Sequence, residues 1–157
     1  MNRFINLVLL VVFGVVIYSL FASPTGDYKV IGVSDGDTIT VLDGTTQIKV
    51  RLAEIDAPES KQPFGSKAKE VLSDKVFGKY VKLDVIEKDR WGRSVAKVYL
   101  GNRHINLEMV QEGFAWNYTQ YSKSAAMAEA QEYAKGKKLG LWADRSQTPP
   151  WEFRSRR

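Results

Sequence analysis

Val50-Arg51-Leu52-Ala53-Glu54-Ile55-Asp56-Ala57-Pro58-Glu59 reads as a strand that runs into a turn and brings charged groups to its end. Ile48, Val50 and Leu52 alternate with Lys49, Arg51 and Ala53, the period-2 pattern of a half-buried strand. Asp56-Ala57-Pro58 should stop it, because proline donates no ladder hydrogen bond and biases its neighbour away from helix. Asp56 and Glu59 are thereby expected at a sheet edge, on a stiffened loop following Arg51. An arginine and two carboxylates at a strand end suit holding a metal, gripping a phosphate and activating water. A charged surface loop is the other reading of these residues taken alone.

Before this stretch, Tyr28–Val33 and Ile39–Leu42 read as strands joined through Ser34-Asp35-Gly36-Asp37-Thr38. Asp-Gly between β-branched runs is a strong hairpin signal. Asp37 is a turn residue on that view, yet it begins the next strand, where turn chemistry does not require it. Two acids that close repel unless one faces a cation. Asp43-Gly44-Thr45-Thr46 turns the chain again into the central strand.

After it the period changes. Phe64, Ala68, Val71, Leu72 and Val76 share one face of a helix over Pro63–Phe77, which Gly78 ends. Val81, Leu83 and Val85 give a fourth strand, and Ala96, Val98 and Leu100 a fifth. Between them lies the charged turn Asp89-Arg90-Trp91-Gly92-Arg93, in which Arg90 reads as a solvated tip and Arg93 as the start of a strand. A short helix around Ile105, Met109 and Val110 closes at Gly113. Ser124–Lys135 reads as a last amphipathic helix with Met127, Ala130 and Ala134 inward. Five short strands with a helix between the third and fourth predict an α+β, mainly β chain. It is a Greek-key OB-type barrel with about three helices, behind an N-terminal apolar helix.

Composition narrows the chemistry. The chain has 157 residues, 44% apolar and 26% charged, enough for one domain with a real core. The absence of cysteine and the single histidine, His104, argue against a zinc site; a catalytic metal would then be held by oxygen, which points to calcium or magnesium. Residues 4–22 are uncharged, and Leu7–Ile17 has no polar side chain. Residues 1–23 therefore read as an export signal or a membrane anchor, with Arg3 on the cytoplasmic side and the remainder exported to the periplasm or beyond the cell. Residues 24–27 form a linker, 28–145 the domain and 146–157 a Pro/Trp/Arg-rich tail, read as solvated, whose arginines are candidates for phosphate contacts. The net charge is +5, and setting aside residues 1–23 removes one base and no acid, which leaves a mild surplus suited to a polyanion.

Three elements together resemble the staphylococcal nuclease (thermonuclease, or micrococcal nuclease) family: Asp35-Gly36-Asp37-Thr38, Val50-Arg51-Leu52 through Ile55-Asp56-Ala57-Pro58-Glu59, and Asp89-Arg90-Trp91-Gly92-Arg93. Gly140-Leu141-Trp142 and the closing Pro149-Pro150-Trp151-Glu152-Phe153-Arg154 are similar to bacterial members. The resemblance implies a five-stranded OB barrel with three helices. It also implies Ca²⁺-dependent hydrolysis of DNA and RNA, preferentially single-stranded or unstacked, with little sequence specificity, to 3′-phosphate and 5′-hydroxyl ends. By motif position, Asp37 and Asp56 would be carboxylate calcium ligands and Ala57 a carbonyl ligand. Glu59 would orient or deprotonate the attacking water, and Arg51 and Arg93 would grip the scissile phosphate. Trp91, Tyr118 and Tyr121 are stacking candidates, with a packed barrel rim as the alternative for the two tyrosines. Ala57 and Trp91 stand where the best-known member has threonine and tyrosine, and the segment after Glu59 is shorter. No obligate protein partner is implied, and residues 4–22 supply the membrane contact if they remain attached. The rival reading is an OB module that binds nucleic acid without cutting it.

Overall fold

The computed structural model describes residues 28–144 and 147–156. The export or anchor segment 1–23 and the linker 24–27 lie outside the described residues. Among those described, no helix is long and apolar enough to cross a membrane.

Strands β1 (Tyr28–Asp35), β2 (Thr38–Asp43) and β3 (Thr46–Leu52) form the expected meander. β4 is the two-residue Ile55–Asp56, followed by helix α1 (Gly65–Val76), β5 (Tyr80–Lys88) and β6 (Ser94–Leu100). A short β7 (Arg103–His104) leads into α2 (Ile105–Gln111). Then come β8 (Trp116–Asn117), α3 (Ala125–Lys137), a 3₁₀ turn at Gly140–Ala143 and α4 (Pro150–Ser155). β1, β2 and β3 pair antiparallel, β1 also pairs with β5 and β5 with β6, and a parallel pairing of β3 with β6 closes the five-stranded barrel. The α+β OB-type expectation holds, with four helices rather than three among the described residues.

The apolar residues at the period-2 positions fill the barrel. Val30, Ile39, Val41, Val50, Leu52, Val81, Ala96 and Val98 are buried, and Ala68, Leu72 and Val76 of α1 cap them. Met127, Ala130 and Ala134 turn the inner face of α3 to the core as expected, and Ser124 caps that helix by accepting from the Met127 N–H. Val85 departs from the alternation and is 49% exposed, because β5 bulges beyond it and its end leaves the barrel to form a wall of a cleft. The first helix begins at Gly65 rather than Pro63, since Phe64 at its N-cap takes a left-handed backbone (φ 69°).

Asn106, fully buried, joins the two halves of the barrel. Its Oδ1 accepts from the Val98 N–H, and its Nδ2 donates to the carbonyls of Ala53 and Ala96. Asn106→Ala would take this partner from the Val98 N–H and the Ala53 carbonyl, each costing about 1–3 kcal/mol, while the Ala96 carbonyl still accepts from the Ala53 N–H. The expected result is a loss of several kcal/mol in denaturant unfolding; a loss below about 1 kcal/mol would refute this account.

Candidate active site

The β1–β2 turn places Asp37. Its backbone N–H is accepted by Asp35 Oδ1 (3.0 Å), and its carbonyl accepts from the Leu52 N–H (2.8 Å), which ties the turn to the end of β3. Asp37 is the second residue of the turn, not the first of the strand; β2 starts at Thr38, which lies opposite Arg51. The carboxylate and the guanidinium are thereby brought to one spot. Gly36 is required beneath them, because a Cβ there would lie 2.7 Å from the Cβ atoms of both Ala57 and Ala68.

β3 ends at Leu52, and the chain reverses through Glu54 (φ 65°) before β4 pairs with β8. Asp56 is therefore not at an open sheet edge: β8 covers it, and only 1% of the residue is exposed. Arg51 Nη2 lies 2.9 Å from Asp56 Oδ1 and 3.1 Å from Asp37 Oδ2, while Nη1 donates to the Leu52 carbonyl. Asp37 Oδ2 also accepts from the Ala57 N–H at 2.6 Å, and Oδ1 accepts from the Thr38 hydroxyl. Burial raises the Asp37 pKa from 3.8 to about 7; Arg51 opposes this, and Asp35 and Asp56 add to it. Two buried carboxylates converge here on the Arg51 guanidinium, and at Asp37 the effect of burial exceeds what Arg51 offsets.

Glu59 stands at the mouth, its backbone N–H accepted by the Gln62 side chain. The start of α1 passes so close that a Cβ on Gly65 would lie 2.0 Å from the Glu59 carbonyl oxygen, so glycine at that position sets the loop. The parallel pairing puts Ser94 opposite Val50, and so carries Arg93, the last residue of the preceding turn, to the end of the barrel that holds Arg51. Arg93 Nε donates to Asp89 Oδ2 (2.7 Å), and Asp89 Oδ1 accepts the N–H groups of Trp91 and Arg93. Burial works to raise the Asp89 pKa, but these hydrogen bonds outweigh it and hold it below the ordinary value. Trp91 is 66% exposed, with the guanidiniums of Arg90 and Arg93 4.1 and 5.2 Å from its ring centroid.

All these residues line one cleft of about 690 Å³: Asp37, Arg51, Asp56, Ala57, Glu59, Trp91, Arg93, Tyr118 and Tyr121. Tyr121 is 65% exposed, whereas Tyr118 is half-buried, with the ring of Trp151 stacked parallel on it at 5.3 Å. The tail is not simply solvated. Helix α4 docks at the cleft, and Arg154 donates from Nη2 to Asp56 Oδ2 and from Nη1 to Glu59 Oε1, both at 2.8 Å. Partial burial disfavours the Arg154 charge, but these carboxylates win and raise its pKa. Charge and composition did not single out Arg154; the readable signal was Pro149-Pro150 ahead of it, since proline suits the first turn of a helix.

The family described as Staphylococcal nuclease homologue matches residues 49–144. An "Uncharacterized endonuclease" of Haemophilus influenzae is 51% identical over 127 residues, covering 80% of this chain and 71% of that protein. A "Micrococcal nuclease" of Shigella flexneri is 43% identical over 137 residues, covering 80% and 79% of the two chains. An "Uncharacterized endonuclease" of Escherichia coli O157:H7 is 38% identical over 130 residues, covering 82% and 85%. The matched span holds Arg51, Asp56, Glu59 and Arg93 in the cleft and only Asp37 lies ahead of it, so barrel, cleft and relatives agree: the chain belongs to the staphylococcal nuclease homologue family.

Proposed function

We propose that this protein is a nuclease that hydrolyses phosphodiester bonds of DNA and RNA with little sequence specificity, using a bound calcium ion and leaving 3′-phosphate and 5′-hydroxyl ends. The observation that carries this reading is the cluster of Arg51, Asp37, Asp56, Glu59 and Arg93 in one cleft. Nuclease relatives that align with most of the chain support it.

The donor set fits a hard cation. Asp37 and Asp56, whose carboxylates meet at one nitrogen of Arg51, would supply two carboxylates, although among the described residues no three His, Cys, Asp or Glu side chains group to hold a metal. The Ala57 carbonyl, water and a substrate oxygen would complete the shell of oxygens that calcium takes. Burial is the main cause of the raised pKa of Asp37, with Asp35 and Asp56 adding to it, and a cation beside it would favour the charged form. When bound, calcium supplies a Lewis acid and a place for the attacking water.

The chain's own groups do the rest. Arg51 and Arg93 present planar donors, charged at any working pH, to the equatorial oxygens on which negative charge builds. Glu59 accepts a proton as the water oxygen bonds to phosphorus. The P–O5′ bond breaks on the opposite side, and the departing oxygen takes a proton from solvent. Exposed Trp91 and Tyr121 offer faces for unstacked bases, which favours single strands. The uncharged run at residues 4–22 supports work outside the cytoplasm, by a released or a membrane-anchored form.

The test is cleavage of single-stranded DNA and RNA by the full chain with calcium, with magnesium and with a chelator, beside Arg51→Ala/Glu59→Ala. Calcium-dependent cleavage that the double variant lacks is expected. Binding without cleavage under every condition would leave a non-catalytic OB module.

A further inference from the structure

The C-terminal helix is held to the cleft by more than one contact. The buried Gln62 side chain donates to the Thr148 carbonyl, Pro150 is buried, and Trp151 lies between the face of Tyr118 and the edge of Trp116. Arg154, three residues on and so on the same side of the helix, reaches over Asp56 and Glu59. Asp56 thus accepts from Arg51 at Oδ1 and from Arg154 at both oxygens, and three arginines of the cleft rest on carboxylates, Arg51 on Asp37 and Asp56, Arg93 on Asp89 and Arg154 on Asp56 and Glu59, whereas Arg90 lies over the Trp91 ring.

Charge decides what Arg154 does. Asp37, Asp56 and Glu59 pair with Arg51 and Arg154, and Asp35 adds a fourth acid beside Asp37, so acids outnumber arginines in the cluster. A divalent cation and one phosphodiester together add only one positive charge, so the assembly still has a use for Arg154, and its removal would deepen the negative excess. The pinned ring of Trp151 and the buried Pro150 also suit a fixed part of the site better than a plug that must leave.

We propose that Arg154 is a third phosphate-binding arginine, carried to the cleft by the C-terminal helix and set by the Trp151–Tyr118 stack. When a divalent cation takes over Asp56, the guanidinium, 41% exposed at its side chain, turns its donors to a backbone phosphate of the substrate. This rests on the nuclease reading and assigns the tail to the substrate side of that site.

The experiment measures two properties of the full chain. With calcium, Arg154→Ala is expected to raise KM about tenfold, consistent with loss of one charge-assisted contact. Arg154→Lys should recover part of the loss, and Trp151→Ala, which leaves Arg154 but unpins its helix, should reproduce it. Binding of a single-stranded oligonucleotide is then followed against salt in calcium, in an Arg93→Ala background that slows cleavage. Adding Arg154→Ala should flatten the log–log salt slope by about 0.7, one phosphate contact, and in chelator, where Arg154 stays on its carboxylates, the slope should not change. An unchanged slope and KM in calcium would overturn the proposal. So would an Arg154→Ala protein that binds calcium more tightly by calorimetry and cleaves faster, because the tail would then be a plug. Wild-type protein that never cleaves strikes at the nuclease reading instead, and the salt slope still decides on Arg154.

Discussion

Arg51→Lys and Arg93→Lys are each expected to lower turnover about a hundredfold or more, the usual cost of losing a preorganised transition-state donor, about 2.7–4 kcal/mol. Near-normal turnover in either would sink the two-arginine mechanism. The structure separates the two arginines in a second experiment. Arg51 is the shared partner of two buried carboxylates, with side-chain exposures of 14%, 8% and 2% for Arg51, Asp37 and Asp56. Arg51→Ala should therefore destabilise the metal-free protein at pH 8 by about 3–5 kcal/mol, the cost of breaking a buried ion pair from one side. Since Arg51 works to hold the Asp37 pKa down, removing it lets Asp37 keep its proton to higher pH. The destabilisation should then shrink at pH 6. Arg93 pairs with Asp89 in a surface turn, so Arg93→Ala should cost within about 1 kcal/mol. Equal losses for the two alanine variants in urea unfolding with chelator would contradict this division.

The barrel was legible because its strands carry their burial in the chain itself. The buried set Val30, Ile39, Val41, Val50, Leu52, Val81, Ala96 and Val98 is what alternation selects, and Asp-Gly signalled the first turn. Proximity of Asp37 to Arg51 could not be read that way. It depends on register, Thr38 opposite Arg51, and on a backbone bond from Leu52 to Asp37. The parallel pairing that brings Arg93 to the same end joins strands more than forty residues apart, with no local trace. Asp56 reads as a sheet-edge residue because the strand that covers it, Trp116–Asn117, is too short to announce itself.

The tail was misread for a related reason. A six-residue helix that runs into further arginines has the composition of a solvated end, and what makes it part of the site is tertiary: a parallel ring on Tyr118 and carboxylates 98 and 95 residues away in sequence. Val85 shows the converse, a β-branched residue at an alternating position that faces solvent because the strand has outrun its barrel.

Asp37→Asn is expected to make the metal-free protein more stable and the site unable to hold its cation. An acid whose folded pKa lies above its unfolded one is stabilising when protonated, so the sign is the reverse of an ordinary salt-bridged aspartate. Between pH 4 and pH 7 the folded protein holds a proton at Asp37 that the unfolded chain has released, from a pKa of 3.8 to one of about 7. Stability from this residue is present at low pH, falls as pH rises through that window and is level above it; three pKa units correspond to about 4 kcal/mol at most. Asparagine is neutral throughout and can keep the hydrogen bond from the Ala57 N–H. In chelator the difference in melting temperature between variant and wild type should grow from pH 5 to pH 8, reaching several degrees at about 4–8 °C per kcal/mol. Addition of calcium should reverse the order. Wild type should gain about 2.7 kcal/mol at a hundred times its dissociation constant, while Asp37→Asn gains little and cleaves poorly. An Asp37→Asn protein that is no more stable than wild type in chelator at pH 8 would mean that the buried carboxylate is already fully compensated by Arg51, and the electrostatic case for a cation at this site would fall with it.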